Sequence, residues 1–311
     1  MCDARSSVLT MGSAGSLVLA HVGGAQVAPL QLGPAAAYGL LYAVRARHLA
    51  GTPRAVPRWR QTCFYGGLVV IVLALVSPLG HVADELFVAH MAEHLLLTDV
   101  GALLLVLGLT GPLLAPVLRI RALGWLRAFA HPLVALPLWS VNLLAWHIPV
   151  LHDAAVRHDG IHALQHLGFV GFGMAMWMAL FGPLPKPAWF GNAAKLGYIV
   201  AVRLVGAALA NAFLFGGGAF FDVYAAGERH WHLAPRTDQN AAGAVMMVWE
   251  SLFTLALFGW LFWKAADEGE ERQELLDLAA ARGVPVTETR AARAVAAGRG
   301  GDLRRRIEAG G

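Results

Sequence analysis

FVAHMAEHLLLTDVGALLLVLG, residues 87–108, opens with two histidines and a glutamate and then runs apolar, broken by Asp99. Its length is close to the ~20 residues an α-helix needs to cross a bilayer. Whether the stretch is a span or a buried core helix decides the fold. The rest of the chain answers: 57% of its 311 residues are apolar and only 14% are charged, against about a quarter charged in soluble domains. Several other windows are as apolar as this one. Lipid offers no partners to open backbone groups, so spans are helices or a closed barrel. Long apolar runs without strict alternation choose helices. The expected fold is all-α, a polytopic membrane helix bundle.

Seven transmembrane helices are expected, near 29–47, 61–79, 87–110, 133–151, 162–182, 194–216 and 243–263. The loop after the first carries Arg45, Arg47, Arg54, Arg58 and Arg60; the third carries Arg119, Arg121 and Arg127, and the fifth Lys186. Intervening loops mix signs. The positive-inside rule places the arginine loops in the cytoplasm, with the N-terminus outside and the C-terminus cytoplasmic. Residues 1–28 read as a leader or loose extracytoplasmic segment, residues 29–264 as the seven-helix membrane domain, and residues 265–311 as a charged cytoplasmic tail, partly disordered. Cys2 and Cys63 are far apart, so neither a disulfide framework nor a thiolate metal site is supported. No long basic stripe interleaved with aromatics points to nucleic acid.

On this topology ten of the thirteen histidines fall at the outer end. His90 and His94 are spaced i,i+4, as are His162 and His166, which stacks each pair on one helix face. The two pairs start two different spans at equal depth and can face each other. His147 reaches a similar depth from a third helix. Helix N-termini disfavour imidazolium, so these rings stay neutral and able to ligate copper, zinc or haem iron. Against this stands the ordinary reading of an interfacial histidine as a solvated or hydrogen-bonded side chain, which suits the loop residues His158, His230 and His232; His152 also lies in an outer loop. Met91, Met174, Met178, Met246 and Met247 are read as packing before ligation.

Asp99, Asn142, Arg203, Asn211 and Glu250 lie within spans, where charges face the bundle interior and pair. Arg203 is expected to pair with Asp99 or Glu250. Glu93 sits beside the histidines and can orient an imidazole from behind or serve as a ligand itself. Asp153 and Asp238 are outer-side acids able to do the same or to ligate.

Four stretches together, SPLGHVADELFVAHMAEHLLL, LGLTGPLL, AWHIPVLHDAAVRHDGIHALQHLGFVGFGMAMW and TDQNAAGAVMMVWES, resemble the caa3-type CtaG family of cytochrome c oxidase assembly factors over roughly residues 30–264. The resemblance implies a seven-helix protein of the plasma (inner) membrane that matures a haem–copper oxidase at its copper centre, with oxidase subunits as partners. It maps the family's histidine motifs onto His90 and His94, His147, and His162 and His166, and the aspartate of its last-span motif onto Asp238. The expected function is non-enzymatic: copper held at the outer histidine cluster and handed on, with His90, His94 and His166 the first choice of ligands and His162 and His147 next. Two alternatives stay open. A b-type haem protein can ligate its iron with histidines from two helices. A membrane metallohydrolase would use Glu93 or Asp238 as base.

Overall fold

The structure, a computed structural model, describes residues 29–310. The segment 1–28, and His21 with it, lies outside the described residues. All regular structure among the described residues is helical. In chain order the α-helices are α1 (Pro29–Leu49), α2 (Arg58–Val76), α3 (Pro78–Ala83), α4 (Phe87–Gly108), α5 (Gly111–Arg119), α6 (Pro132–Trp146), α7 (Pro149–Arg157), α8 (Asp159–Phe181), α9 (Asn192–Phe215), α10 (Ala225–His230), α11 (Pro235–Ala281), α12 (Glu288–Ala296) and α13 (Gly300–Glu308).

Five of these, α2, α4, α8, α9 and α11, are long and apolar enough to cross a membrane. A sixth span results if the 3-10 helix Arg121–Ala130 and α6, bent by 86° to one another, count as one. The chain is thus a polytopic helical membrane protein. Of the seven spans expected, the first corresponds to α1, which ends in Arg45, Arg47 and His48 and contains Pro34. The fourth corresponds to α6, which has 15 residues. Proline sets several of these boundaries: Pro78, Pro132, Pro149 and Pro235 stand in the first turn of their helices, where a missing N–H loses no bond.

The outside of the bundle is apolar and the inside partly polar. Leu40, Leu73, Val141, Leu204, Leu255 and Phe262 are exposed, while His90, Glu93, Asp99, Arg203, Asp238 and Glu250 are buried. A soluble protein would not leave so much apolar surface in water, and hydrocarbon is its natural solvent.

Without a hydrophobic drive between helices in lipid, close packing has to hold them. The contact of α2 with α4 is built on glycine. A Cβ on Gly67 would lie 2.9 Å from the Gly101 carbonyl oxygen and from the Leu105 nitrogen, and one on Gly108 only 2.5 Å from Phe64 Cβ. Tyr42 of α1 stacks on Phe64 and donates from its hydroxyl to the Gly108 carbonyl at 3.1 Å.

Cations then close two helix ends. Arg60 donates to the carbonyls of Leu107 and Leu109, both at 2.9 Å. Lys186 donates to those of Met178, Gly182 and Leu184 at the end of α8. Free carbonyls at a helix C-terminus attract positive charge. Burial, with Lys195 nearby, pulls the Lys186 ammonium down to about 8.

Within α4, residues Leu96–Gly101 form a π-helical segment, a widened turn that recurs at functional sites. The Thr98 carbonyl on this segment accepts from Trp177 Nε1 at 2.8 Å, and Asp99 is buried there.

The last apolar helix does not stop where its apolar stretch does. α11 is continuous for 47 residues, and α12 and α13 fold against its far end. Leu275, Ala279, Ala291, Val295, Leu303 and Ile307 make a small separate core. Where the composition suggested a partly disordered tail, apolar residues at i,i+4 on each of the three helices supply a packing face.

Gly67→Leu should lower the stability of the purified protein by about 1–3 kcal/mol, since overpacking a close contact forces the backbones apart. A thermal unfolding midpoint in detergent equal to that of the parent would contradict the close approach of α2 and α4.

Candidate metal centre

Four helices converge at one end of the bundle. α4 brings His90, Glu93 and His94; α8 brings His162 and His166; His147 caps the C-terminus of α6; and α11 arrives with Asp238 in its first turn.

The imidazoles of α4 and α8 face one another in two layers. His90 lies over His162 with ring centroids 5.4 Å apart, and His94 meets His166 at 5.5 Å. Within each helix the two rings are 4.2 Å apart. Four residues of helix separate the layers by about 6 Å. All four histidines and Glu93 are buried.

These donors are idle. Both ring nitrogens of His90, His94 and His166, Nε2 of His162 and Oε2 of Glu93 are buried without a hydrogen-bond partner. Buried polar groups are nearly always paired, so the cluster is shaped for something that accepts several lone pairs at once. His90, Glu93 and His162 offer one donor atom each, all within 4.8 Å of one another. Donors around a tetrahedral ion stand roughly 3.4 Å apart, so small side-chain rotations close this set on a metal. His166 Nε2 lies 3.7 Å from a Glu93 oxygen, too far for a hydrogen bond and near enough to exchange places with another ligand.

His147 adds a different donor. Its Nδ1 is 2.7 Å from the Leu143 carbonyl, and its Nε2 is 3.3 Å from the Met91 sulfur. A carbonyl only accepts, so Nδ1 carries the proton and the neutral ring turns its Nε2 lone pair toward the thioether. A nitrogen and a soft sulfur therefore sit side by side, next to His94, whose ring centroid is 6.3 Å from that of His147.

The sequence reading placed His152 among the loop residues. The structure buries it in the cluster, 4.9 Å from the His90 ring. The short helix α7 turns it inward. Its Nε2 is 2.8 Å from the Tyr224 hydroxyl and its Nδ1 is 3.3 Å from the Trp146 carbonyl. Burial raises the Tyr224 hydroxyl well above its ordinary value, and Asp84, Asp238, Glu93 and Asp153 push the same way. The hydroxyl therefore keeps its proton and donates it to His152. With both nitrogens engaged, His152 forms a wall of the site. Its signal in the sequence was slight: a histidine five residues after His147, behind Pro149.

Asp238, expected as an orienting group or a ligand, does neither directly. Its two carboxylate oxygens accept from the backbone nitrogens of Phe87, at 2.7 Å, and Val88, at 2.9 Å. It caps the first turn of α4 from a different helix, one turn before His90. Asp153 pairs with Arg157 of its own helix at 3.5 Å. His158, His230 and His232 are exposed, in keeping with the ordinary reading of loop histidines.

Below the histidines lies the intramembrane charge group. Arg203 is 3.7 Å from Asp99, which also accepts from Trp249 Nε1 at 2.9 Å. Glu250 packs on Gly206, and its Oε2 has no hydrogen-bond partner. A cavity of about 30 Å³ is lined by Met91, His94 and His147 on one side and by Asp99, Arg203 and Glu250 on the other. The charges and the histidines thus share one small polar interior, with room for about one or two waters.

An all-helical membrane protein whose buried imidazoles and carboxylate can bind a metal is the class that the geometry defines. The comparisons narrow it. The model of the cytochrome c oxidase caa3 assembly factor family (Caa3_CtaG) matches residues 37–268, and the chain belongs to that family. The curated "Uncharacterized protein ML1998" of Mycobacterium leprae (strain TN) is 26% identical over 221 residues, 65% of this chain and 33% of that protein. The chain thus aligns with about a third of that relative's length. No solved structure matches.

Asp238→Ala should strip two buried N–H groups of their acceptor and lower stability by about 1–3 kcal/mol, with Asp238→Asn in between because it keeps one acceptor oxygen. Chemical denaturation in detergent measures both. Equal stability of Asp238→Ala and the parent would show that α4 needs no cap.

Proposed function

We propose that the chain is a non-enzymatic assembly factor that takes up copper as cargo at the layered histidine cluster and passes it to a subunit of a haem–copper oxidase. The observation that carries this is the buried His90, Glu93 and His162 set with its unpartnered donor atoms. Family membership supports the assembly role. The bundle is read as seven spans in the plasma (inner) membrane, with the cluster at the outer end and the C-terminus cytoplasmic.

In this reading His90 and His162 present neutral nitrogens and Glu93 supplies one negative charge toward the cation. His94 and His166 lie one turn deeper, where they can exchange with the first set. His147 and Met91 add an imidazole–thioether pair, a donor combination that suits Cu(I) over harder ions. Several partial sites close together favour stepwise ligand exchange over one tight cage, and a carrier has to let its ion go. Asp238 holds the α4 ligands in register without touching the metal. The close contacts within the cluster, with Phe169 4.1 Å from the His94 ring, leave a tighter fit for an ion than for a haem macrocycle.

Metal analysis of protein purified after growth in copper tests the reading. The double variant His90→Ala/His162→Ala should retain less than a tenth of the parent's copper. Glu93→Gln should weaken metal affinity by at least about 10–100-fold, the usual loss for a carboxylate that only supports a ligand, because here it is itself one of the three donors. Oxidase activity of the membranes should fall in step, and His90→Ala/His94→Ala should behave alike. Parental copper content together with parental oxidase activity would refute the proposal. A Soret band with reducible α and β bands would replace it with a haem function, and metal-dependent hydrolytic turnover with a metallohydrolase.

A further inference from the structure

The C-terminal unit has arginines of two kinds. Arg272 pairs with Glu288 at 3.4 Å, Arg304 pairs with Glu274, and Arg305 pairs with Asp302. Arg282 donates to the Glu308 carbonyl. The Arg272, Arg304 and Arg282 contacts tie α11, α12 and α13 together, and the Arg305 pair lies within α13. Four others, Arg290, Arg293, Arg299 and Arg306, line a single cleft between α12 and α13 of about 300 Å³. None of their guanidinium groups engages an acid or a carbonyl among the hydrogen bonds and ion pairs of the described residues, and all four are exposed. The one carboxylate at the cleft, Asp302, is already held by Arg305.

The fold brings these cations together against their repulsion. Arg290 and Arg293 are i,i+3 on α12, so they share a face. Arg299 stands on the turn into α13, next to Gly298 at φ +65°, a conformation that glycine adopts without strain. The packing of Leu303 and Ile307 against α12 then turns Arg306 toward the same opening. The floor is Ala294 and Leu303, and Thr287 and Thr289 add hydroxyls at the rim.

We propose that this cleft binds a polyanion carrying phosphoryl groups. Guanidinium forks match phosphate oxygens two at a time, and four unpartnered forks around one opening suit a ligand with at least two phosphoryl groups. The volume is at the lower end of ordinary small-ligand sites. The ligand is either a soluble di- or polyphosphate or the headgroup of an anionic lipid. The site lies outside the segment that matches the family, which ends at residue 268, and stands independently of the metal centre.

Two arms of one experiment on the full-length chain separate the sources. In detergent, inorganic pyrophosphate is titrated and followed by calorimetry. In nanodiscs, hydrogen exchange over residues 288–306 is compared between phosphatidylcholine alone and phosphatidylcholine with cardiolipin. Binding in the first arm identifies a soluble ligand, and cardiolipin-dependent protection in the second identifies a lipid. Arg293→Gln/Arg306→Gln should weaken the response at least tenfold, and the independent pair Arg290→Gln/Arg299→Gln should do the same. Arg304→Gln, which removes a paired arginine outside the cleft, should leave it intact. A parent that responds in neither arm, or a response that both cleft pairs preserve, would overturn the proposal.

Discussion

A buried carboxylate accepting two backbone N–H groups sets the geometry of everything at the histidine end. Asp238 belongs to α11 and the nitrogens of Phe87 and Val88 to α4. The helix that carries most of the metal donors is therefore fixed at its first turn by another helix, not by its own sequence. In water such a cap is one stabilising contact among many. In a bilayer an unsatisfied N–H has no solvent to turn to, so the cap also decides where the helix can start. The facing of His90 over His162 and of His94 over His166 follows from that starting point and from the helical period.

The second constraint is the inversion of the interior. Apolar side chains cover the outside and the core holds imidazoles, carboxylates and a guanidinium. Two kinds of polar interior meet at one small cavity. Asp99 is engaged by the Arg203 guanidinium and the Trp249 indole N–H, whereas both ring nitrogens of His90, His94 and His166 above them have no hydrogen-bond partner. Arg203 Nε and Glu250 Oε2 are unpartnered as well, so spare hydrogen-bonding capacity runs from the histidines into the charge group.

Much of this was legible in the sequence because it depends on periodicity. The i,i+4 spacing placed each histidine pair on one face, and apolar length located α2, α4, α8 and α9 within a few residues. The sequence was silent where contacts are made by residues remote in the chain. His152 looked like a loop residue because a short helix after Pro149, not a periodic run, turns it inward. Asp238 looked like a ligand because an acid near histidines offers no hint that it faces backbone nitrogens 150 residues away. Glu93 was read as an orienting group or a possible ligand, and its oxygen falls within the closest donor set. The π-helical turn at Leu96–Gly101 left no compositional mark. The tail's small core was hidden among alanine, glycine and arginine, because only six buried apolar residues make its centre.

The length of α11 has a mechanical meaning. At 47 residues and 1.5 Å per residue it is a rod of about 70 Å. Asp238 stands near one tip, and Arg272 and Glu274, which pair with Glu288 and Arg304 of the arginine-rich unit, stand toward the other. A tilt of about 5° around its middle would carry each tip some 3 Å, by the same rise per residue. That is comparable to the whole length of the bonds from Asp238 to the start of α4. The two ends of the molecule are thus geared to one another, and the grip on the ligand-bearing helix is only as steady as the bundle's hold on this shaft.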